Sequence, residues 1–215
     1  MGNVQFGAPK NCIAFLRDAM RLTTFVEGGT YRGGTSKWAA DIFDTVFTIE
    51  NSAEMFAIAK QNLLGISNIT MLHGDTRKHL PGIVAQNDNI LYWLDAHWSG
   101  GVTYGESDEC PILDELAIIF SNARNHAIVI DDARLFLAPP PSPHQRKNWP
   151  TLLEVTRALP ADWDCLCHDD VLAIIPPSIQ EAYRDFLQHQ VSSVQKESSS
   201  TMPKFISRLR QKVTG

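Results

Sequence analysis

Three aspartates and one histidine follow two apolar runs of the sequence. LYWLDAHWSGG carries Asp95 and His97, and AIVIDDARLF carries Asp131 and Asp132. Carboxylates that converge on one place repel each other unless they are protonated, separated or bound to a cation. Their hard oxygen atoms suit Mg²⁺, and a histidine suits a general base. The pattern predicts a metal site or an acid–base site. The alternative is one aspartate that caps a helix beside another that contacts a ligand.

A second chemical pattern is the glycine-rich stretch FVEGGTYRGGTSKW, which follows another apolar run. Glycines this dense cost backbone entropy, so the turn needs their dihedral angles or the space they leave. Glu27 opens the turn, and Glu50 ends the next apolar run at close to the ~20-residue offset of dinucleotide-binding folds. A carboxylate there offers two acceptor oxygens to the hydroxyls of a ribose. The stretch predicts a nucleotide-type site; a tight strand–helix turn with an incidental Glu27 is the alternative.

The glycine spacing argues against a nicotinamide cofactor. Dinucleotide-binding turns read Gly-x-Gly-x-x-Gly, whereas this turn has Gly28-Gly29, three other residues, and then Gly33-Gly34. A short-chain dehydrogenase would also need Tyr-x-x-x-Lys, and none of the tyrosines is followed by a lysine at that spacing. An NAD-dependent oxidoreductase is therefore third among the functions considered.

Five apolar runs alternate with helix-like segments and must position these residues. The runs cover residues 23–27, 45–50, 68–73, 89–95 and 126–132. This alternation is typical of a parallel sheet with helices on both faces, where ligands bind beyond the carboxyl ends of the strands. Two further runs, WDCLCH and VLAIIP, are so close that they can only form an antiparallel hairpin. We therefore predict an α/β fold: a Rossmann-like, doubly wound, seven-stranded sheet, mostly parallel with a C-terminal antiparallel hairpin.

One domain is predicted for residues 1–177, and it includes an N-terminal helical segment at 1–22. Residues 178–215 are predicted to form a C-terminal helix, a Ser-rich flexible linker (SSVQKESSST) and a basic end piece. Within the first domain, Ser52 is predicted to cap the start of the helix after the second run, and Gly65 is predicted to cap its end.

Composition limits the partners. The net charge is −5 and the pI is near 5.8, which argues against a protein that grips nucleic-acid backbones. No apolar run approaches the ~18 residues of a membrane span, so no stable membrane insertion is predicted. The basic end piece could touch an anionic surface or a partner chain; the alternatives are an amphipathic segment that packs on its own domain, and disorder. The cysteines lack a zinc-type spacing and are predicted to be reduced, as in a cytoplasmic protein. The oligomeric state is left open, a homodimer included.

Over roughly residues 10–177 the chain resembles the class I S-adenosylmethionine-dependent methyltransferases. Its motif Glu27-x-Gly29-x-Tyr31-x-Gly33-x-Thr35-Ser36 is similar to the glycine loop of catechol O-methyltransferase and its relatives, which wraps the methionine part of the cofactor. The resemblance implies that Glu50 binds the ribose and that the loop after the third strand holds the adenine edge. The cofactor-binding residues that it implies are Glu27, Gly29, Tyr31, Gly33, Thr35, Glu50, Asp75, Thr76 and Asp95.

The same resemblance implies a metal site. Catechol-type enzymes bind their metal through an Asp after strand four and an Asp-Asn pair after strand five. The matching residues are Asp95 and the pair Asp131-Asp132, which is closer to the macrolide-sugar O-methyltransferases. These three are therefore implied as Mg²⁺ ligands, with a small molecule or sugar as acceptor. The lysine of catechol O-methyltransferase has no counterpart, so His97 is the predicted base and Asp95 its rival; a metal-binding or merely structural His97 is the alternative.

The predicted function is an S-adenosylmethionine-dependent O-methyltransferase, assisted by Mg²⁺, that methylates a hydroxyl of a small molecule or sugar. A metal-independent methyltransferase and a non-catalytic cofactor-binding protein are kept as alternatives. Two loops, SGGVTYGESDECP and APPPSPHQRKNWP, are predicted to overhang the site and select the acceptor. The side chains that could contact an acceptor, or simply pack beneath these loops, are Trp98, Tyr104, Arg134, His144, Arg146 and Trp149.

Overall fold

A single β-sheet organises the structure, which is a computed structural model that describes residues 7–97, 108–122 and 125–200, with side chains described as far as 193. Within these ranges the sheet has seven strands. In chain order they are β1 (Thr24–Gly28), β2 (Thr45–Glu50), β3 (Ile69–His73), β4 (Ile90–Leu94), β5 (His126–Ile130), β6 (Asp164–His168) and β7 (Val171–Ile175).

The strand order confirms the predicted fold class. Across the sheet the order is β3-β2-β1-β4-β5-β7-β6. The first five strands pair in parallel, while β7 runs antiparallel to both of its neighbours, β5 and β6. The chain order reverses between β1 and β4, which is the position where open α/β sheets form a ligand-binding crevice.

Eight α-helices are described within the same ranges, and the six from α2 to α7 lie in connections between consecutive strands. In chain order they are α1 (Lys10–Met20), α2 (Gly34–Ala40), α3 (Ala53–Asn62), α4 (Thr76–Gln86), α5 (Ile112–Phe120), α6 (Arg134–Leu137), α7 (Leu152–Arg157) and α8 (Gln180–Ser200).

The core lies in the middle of the sheet because its central strands are buried on both faces. Every residue of β1, β4, β5 and β7 is buried, as expected for strands covered by helices on both sides. Tyr92 and Trp93 of β4 are among the largest fully buried side chains and point to opposite faces of the sheet. The edge strands β3 and β6 are only partly buried.

The structure confirms one of the two cap residues that the sequence predicted for α3. The Ser52 side chain accepts a hydrogen bond from the backbone N–H of Met55, so the predicted N-cap is confirmed. The predicted C-cap at Gly65 is wrong, because α3 ends at Asn62 and Leu63 takes the C-cap position. Gly65 instead lies in the following turn with a φ of +86°, a conformation that glycine adopts without strain because it has no Cβ atom.

The described chain divides after Ser178 into two compact units. In the second unit, α8 extends to Ser200, so the predicted flexible linker from residue 192 is wrong over its described part. The segment contains neither glycine nor proline, and Ser192 and Ser193 donate to the backbone carbonyls of Gln188 and Gln190 within the helix. The predicted basic end piece lies outside the described residues. Among the helices that are described, none combines the length and apolar character needed to cross a bilayer.

Candidate active site

The carboxyl ends of β1, β2, β4 and β5 bring the predicted site residues to one edge of the sheet. The backbone N–H of Asp95, directly after β4, donates to the carbonyl of Gly28 at 2.9 Å. The N–H of Asp131, directly after β5, donates to the carbonyl of Leu94 at 3.1 Å. The glycine turn after β1 and the aspartates after β4 and β5 therefore occupy adjacent positions, as the sequence predicted.

Gly29 allows the turn to pass very close to the neighbouring strand. Its φ is +90°, and a Cβ atom placed there would lie 2.7 Å from the carbonyl carbon of Asp95 and closer still to its oxygen. Only glycine fits both the dihedral angle and the space. Gly33 has a φ of +81° and faces the side chain of Leu63, which a Cβ atom would approach to 2.9 Å. Both glycines of the motif are thus required by the backbone path.

Glu27 lies near the end of β1, just before the turn, and is buried rather than open to the crevice. Its carboxyl group is 1% exposed and accepts hydrogen bonds from Ser36 at the start of α2 and from Thr48 of β2, the latter at 2.7 Å. Burial raises the pKa of Glu27 to about 7, although these hydrogen bonds oppose the shift. In this conformation Glu27 joins the turn to its two neighbouring elements.

Glu50 fixes the conformation of the same turn from the end of β2. One carboxylate oxygen accepts from the backbone N–H of Tyr31 at 2.8 Å, and the other accepts from that of Ser52 at 2.8 Å. Tyr31 has a φ of +50°, which is uncommon for a residue with a side chain. Each carboxylate oxygen has a second lone pair, so Glu50 can hold the turn and still accept hydrogen bonds from a ligand.

Asp75 and Thr76 both have protein partners at the start of α4. Asp75 caps this helix by accepting from the backbone N–H of Arg77 at 2.9 Å, and it also pairs with the Arg77 guanidinium group. The guanidinium group holds the pKa of Asp75 below its ordinary value. Thr76 donates to the buried carboxyl group of Glu115 on α5. Burial raises the pKa of Glu115 to about 7. Glu115 was not among the site residues predicted from the sequence.

His97 lies between two of the predicted acids. Its Nε2 atom is 2.7 Å from a carboxylate oxygen of Asp132, and its Nδ1 atom is 3.7 Å from one of Asp95. Because a carboxylate can only accept, Nε2 carries the proton in this pair. Although burial lowers the pKa of His97, the hydrogen bond to Asp132 and the charge of Asp95 hold it above its ordinary value. The predicted base is therefore oriented by an acid, as in acid–histidine pairs of catalytic sites.

The three aspartates differ in their surroundings. Burial raises the pKa of Asp131 to about 6, and it also raises the pKa of Asp95. Burial acts in the same direction on Asp132, but its bonds to His97 and Arg134 hold its pKa below the ordinary value. Asp132 also has a left-handed backbone, with a φ of +56°. Among the three, Asp132 is thus the group most strongly held as a carboxylate.

The β6–β7 hairpin turn completes this cluster. Arg134, at the start of α6, forms ion pairs with Asp132 and with Asp170 of the turn. The backbone N–H groups of Ala133 and Arg134 donate to the Asp170 carbonyl and side chain, at 2.8 and 2.9 Å. Arg134 is thus engaged by two acids, which reduces its capacity to contact an acceptor, the role considered from the sequence.

The predicted metal ligands can be tested against this arrangement. Mg²⁺ needs carboxylate oxygens that face it without a competing cation, but Asp132 already accepts from His97 and Arg134. Within the described ranges, no three His, Cys, Asp or Glu side chains are arranged to hold a metal ion. As arranged here, Asp132 does not fit as a Mg²⁺ ligand, and the roles of Asp95 and Asp131 as ligands stay predictions.

One predicted acceptor loop is described and packs against the site. Trp149 is buried and its ring contacts that of His97, with ring centroids 5.4 Å apart. Its indole N–H donates to Glu109 at 2.6 Å, and His144 pairs with the same carboxylate. Glu109 was missed by the sequence analysis, while Arg146 is exposed. Trp98 and Tyr104 lie outside the described residues.

Three solved structures that share this architecture are described as O-methyltransferases. An O-methyltransferase from Bacillus cereus, in complex with SAH, matches with a TM-score of 0.55 at 14% sequence identity, over 79% of this chain and 82% of that chain. A provisionally assigned caffeoyl-CoA O-methyltransferase from Staphylococcus aureus matches with a TM-score of 0.55 at 17% identity, over 80% and 84% of the two chains. A provisionally assigned O-methyltransferase from Klebsiella pneumoniae gives 0.57 at 14% identity, over 81% and 84%.

No protein-family model and no curated protein matches the sequence. At the identities of the structural matches, what is shown is the fold, and the resemblance predicted from the glycine motif is confirmed at that level. The chain therefore has the fold of the class I S-adenosylmethionine-dependent methyltransferases.

Proposed function

We propose that this protein is an S-adenosylmethionine-dependent O-methyltransferase that methylates a hydroxyl group of a small molecule or sugar. The observation that supports this most directly is the backbone contact between Gly28 and Asp95. It sets the glycine turn, which suits a nucleoside ligand, beside a partly buried acid–histidine pair that suits proton removal. Binding and chemistry would thus share one edge of the sheet.

The residues of the turn fit the cofactor. Gly29 leaves the space that a Cβ atom would fill, and Glu50 is held by two backbone N–H groups with lone pairs to spare for ribose hydroxyls. We propose Gly33, Tyr31 and Thr35 as further binding residues of the turn. When bound, S-adenosylmethionine supplies a methyl group on a sulfonium centre. Asp75 and Thr76 already pair with Arg77 and Glu115. They would contact the adenine edge in addition to these partners.

His97 is the proposed general base. Its Nε2–H donates to Asp132, which leaves Nδ1 as the basic atom that takes the proton from the acceptor hydroxyl. Asp132 keeps the ring in this orientation and stabilises the positive charge that the ring gains. Arg134 holds Asp132 in turn. Asp95, 3.7 Å from Nδ1, is the rival base predicted from the sequence.

A Mg²⁺-assisted form of the same reaction is the second candidate. The observation that favours it is the adjacent position of Asp95 and Asp131 after neighbouring strands, since Mg²⁺ commonly uses only one or two protein carboxylates. A bound Mg²⁺ would lower the pKa of an acceptor hydroxyl. Turnover that is unchanged by EDTA and by added Mg²⁺ would contradict this form and leave the base-only form.

Calorimetry and turnover test the proposal. We expect S-adenosylhomocysteine to bind and NADH not to bind; the reverse would favour an oxidoreductase. Methyl transfer from labelled S-adenosylmethionine to a panel of sugars and vicinal diols would separate an enzyme from a silent cofactor-binding protein. With an accepted substrate, His97→Ala should lower kcat by about 10²- to 10⁴-fold and leave S-adenosylhomocysteine binding nearly unchanged. Full activity of that variant would remove His97 from the mechanism.

A further inference from the structure

Glu109 is a buried carboxylate that the proposed reaction does not use. Its side chain is 0% exposed, and it accepts three hydrogen bonds: from the indole N–H of Trp149 at 2.6 Å, the backbone N–H of Gln145 at 2.8 Å and Nδ1 of His144 at 3.1 Å. A buried carboxylate is costly unless its oxygens are satisfied. Here the donors are supplied, so the group is built into the fold rather than left there by chance.

All three donors come from one loop. His144, Gln145 and Trp149 belong to the proline-rich connection between α6 and α7, whereas Glu109 lies just before α5. A single side chain therefore ties the connection that follows β5 to the one that follows β4. These two connections carry the proposed catalytic groups: His97 lies in the connection that follows β4, and Asp132 lies between β5 and α6, in the connection that follows β5.

Trp149 links this anchor to His97. The Trp149 ring packs against the His97 ring in an edge-on arrangement, with an interplanar angle of 61°, and it also contacts Phe136 and His144. The hydrogen bond from the indole N–H to Glu109 holds the Trp149 ring in this orientation. Fixing that orientation also fixes the surface against which His97 packs.

We propose that Glu109 is a positioning residue for His97, acting through the indole ring of Trp149. Asp132 holds one edge of the His97 ring by a hydrogen bond, and Trp149 packs on the ring from the side. Loss of the carboxylate frees Trp149 to turn, and His97 loses that packing. The role of His97 as the base rests on the proposed function. The coupling between Glu109, Trp149 and His97 does not depend on it.

Glu109→Gln is the sharpest substitution because it preserves the volume of the side chain. The amide keeps one acceptor oxygen and turns an NH₂ group towards donors that need an acceptor. At least one of the three donors therefore loses its partner. Glu54→Gln removes the same charge from an exposed position in the first turn of α3 and is the matched control.

Two measurements follow the coupling without any acceptor or cofactor. In ¹⁵N–¹H spectra, the Trp149 indole resonance, assigned with Trp149→Phe, should move upfield in Glu109→Gln. The ring resonances of His97, assigned with His97→Gln, should shift in the same variant. Neither set should move in Glu54→Gln. A Trp149 resonance that moves while His97 stays unchanged would overturn the proposal, since the anchor would then not reach the base.

Trypsin reports on the loop itself, because Arg146 and Lys147 lie between the anchored residues. Losing hydrogen bonds to a buried charge should increase cleavage after Lys147 about tenfold or more, measured by mass spectrometry against Glu54→Gln. An unchanged rate would contradict the anchor. If Glu109→Gln does not fold, Trp149→Phe breaks the same hydrogen bond by removing its donor. The same increase in cleavage and the same His97 shifts are then expected.

Turnover separates this proposal from the proposed function. With an accepted substrate, Glu109→Gln should lower kcat with little change in S-adenosylhomocysteine affinity. If the wild-type protein transfers no methyl group, the proposed function fails, while the His97 shift still decides whether Glu109 and His97 are coupled.

Discussion

Gly29→Ala tests the close approach between the glycine turn and the strand beside it. The new Cβ atom would lie 2.7 Å from the carbonyl carbon of Asp95, and that atom is backbone, which cannot rotate away. A left-handed backbone with a side chain costs ~1–2 kcal/mol, and overpacking adds ~1–3 kcal/mol. We therefore expect a loss of about 3 kcal/mol in the free energy of unfolding, from these two costs together.

For a domain of this size, that loss corresponds to a decrease in Tm of about 6–12 °C, which thermal unfolding followed by circular dichroism would detect. The turn and Asp95 must also move apart, so calorimetry should show S-adenosylhomocysteine binding lost at concentrations that saturate the wild-type protein. Both effects arise from the same displaced backbone.

Gly34→Ala is the matched control for this substitution. Gly34 is the first residue of α2, and a Cβ atom there would have no heavy atom of the described chain within 4 Å. We expect Gly34→Ala to be neutral or to stabilise the protein by up to about 1 kcal/mol. If Gly29→Ala melts with the wild-type protein, or if Gly34→Ala is equally damaging, the geometric reasoning about the turn is refuted.

Three further predictions concern a buried acid, the partner of His97 and a helix cap. Burial raises the pKa of Glu27 from 4.5 to about 7, so the stability that it contributes is complete below pH 4.5 and is lost as the pH rises through 7. When urea unfolding is compared at pH 5 and pH 8, the wild-type protein should lose more stability at the higher pH than Glu27→Gln does. An equal loss in both proteins would contradict the prediction. Asp132→Asn should lower kcat by about 10²-fold without changing cofactor affinity, and unchanged turnover would exclude Asp132 as the orienting acid. Thr151→Ala removes the capping box of α7 and should cost about 1 kcal/mol in urea unfolding, which a variant as stable as the wild type would disprove.

The sequence predicted the features that depend on local pattern. Strand alternation, the closing hairpin and the Ser52 cap each follow from residues close together in the chain, and the structure confirms them. The adjacency of Asp95 and Asp131 was also predictable, because parallel strands end at the same edge of a sheet. These predictions needed periodicity and topology but no side-chain detail.

The pairings within the site could not be predicted in the same way. His97 and Asp132 are 35 residues apart, and Glu109 and Trp149 are 40 apart, so no local spacing connects them. Glu109 follows a polar stretch and reads as an exposed loop acid until its three donors are placed around it. The prediction that Asp132 binds Mg²⁺ did not take account of its ion pair with Arg134, whose position depends on the hairpin turn.

Glu115 did leave a signal that was overlooked. On α5 the buried residues are Ile112, Glu115, Leu116 and Ile119, a spacing that places this glutamate on the apolar face of the helix. A charged residue at such a position predicts a buried partner, here the hydroxyl group of Thr76. The sequence could therefore have identified this residue as unusual, though not its partner.

The position of β7 between β5 and β6 has a consequence for synthesis on the ribosome. Among the strands that the structure describes, β7 is the last to be made, yet it occupies an interior place in the sheet. Until it emerges, β5 presents an unpaired and largely apolar edge, which is prone to aggregation. A nascent chain that stops before Val171 would also lack the inserted strand. Translation must therefore pass the final hairpin before the acids around Arg134 can come together.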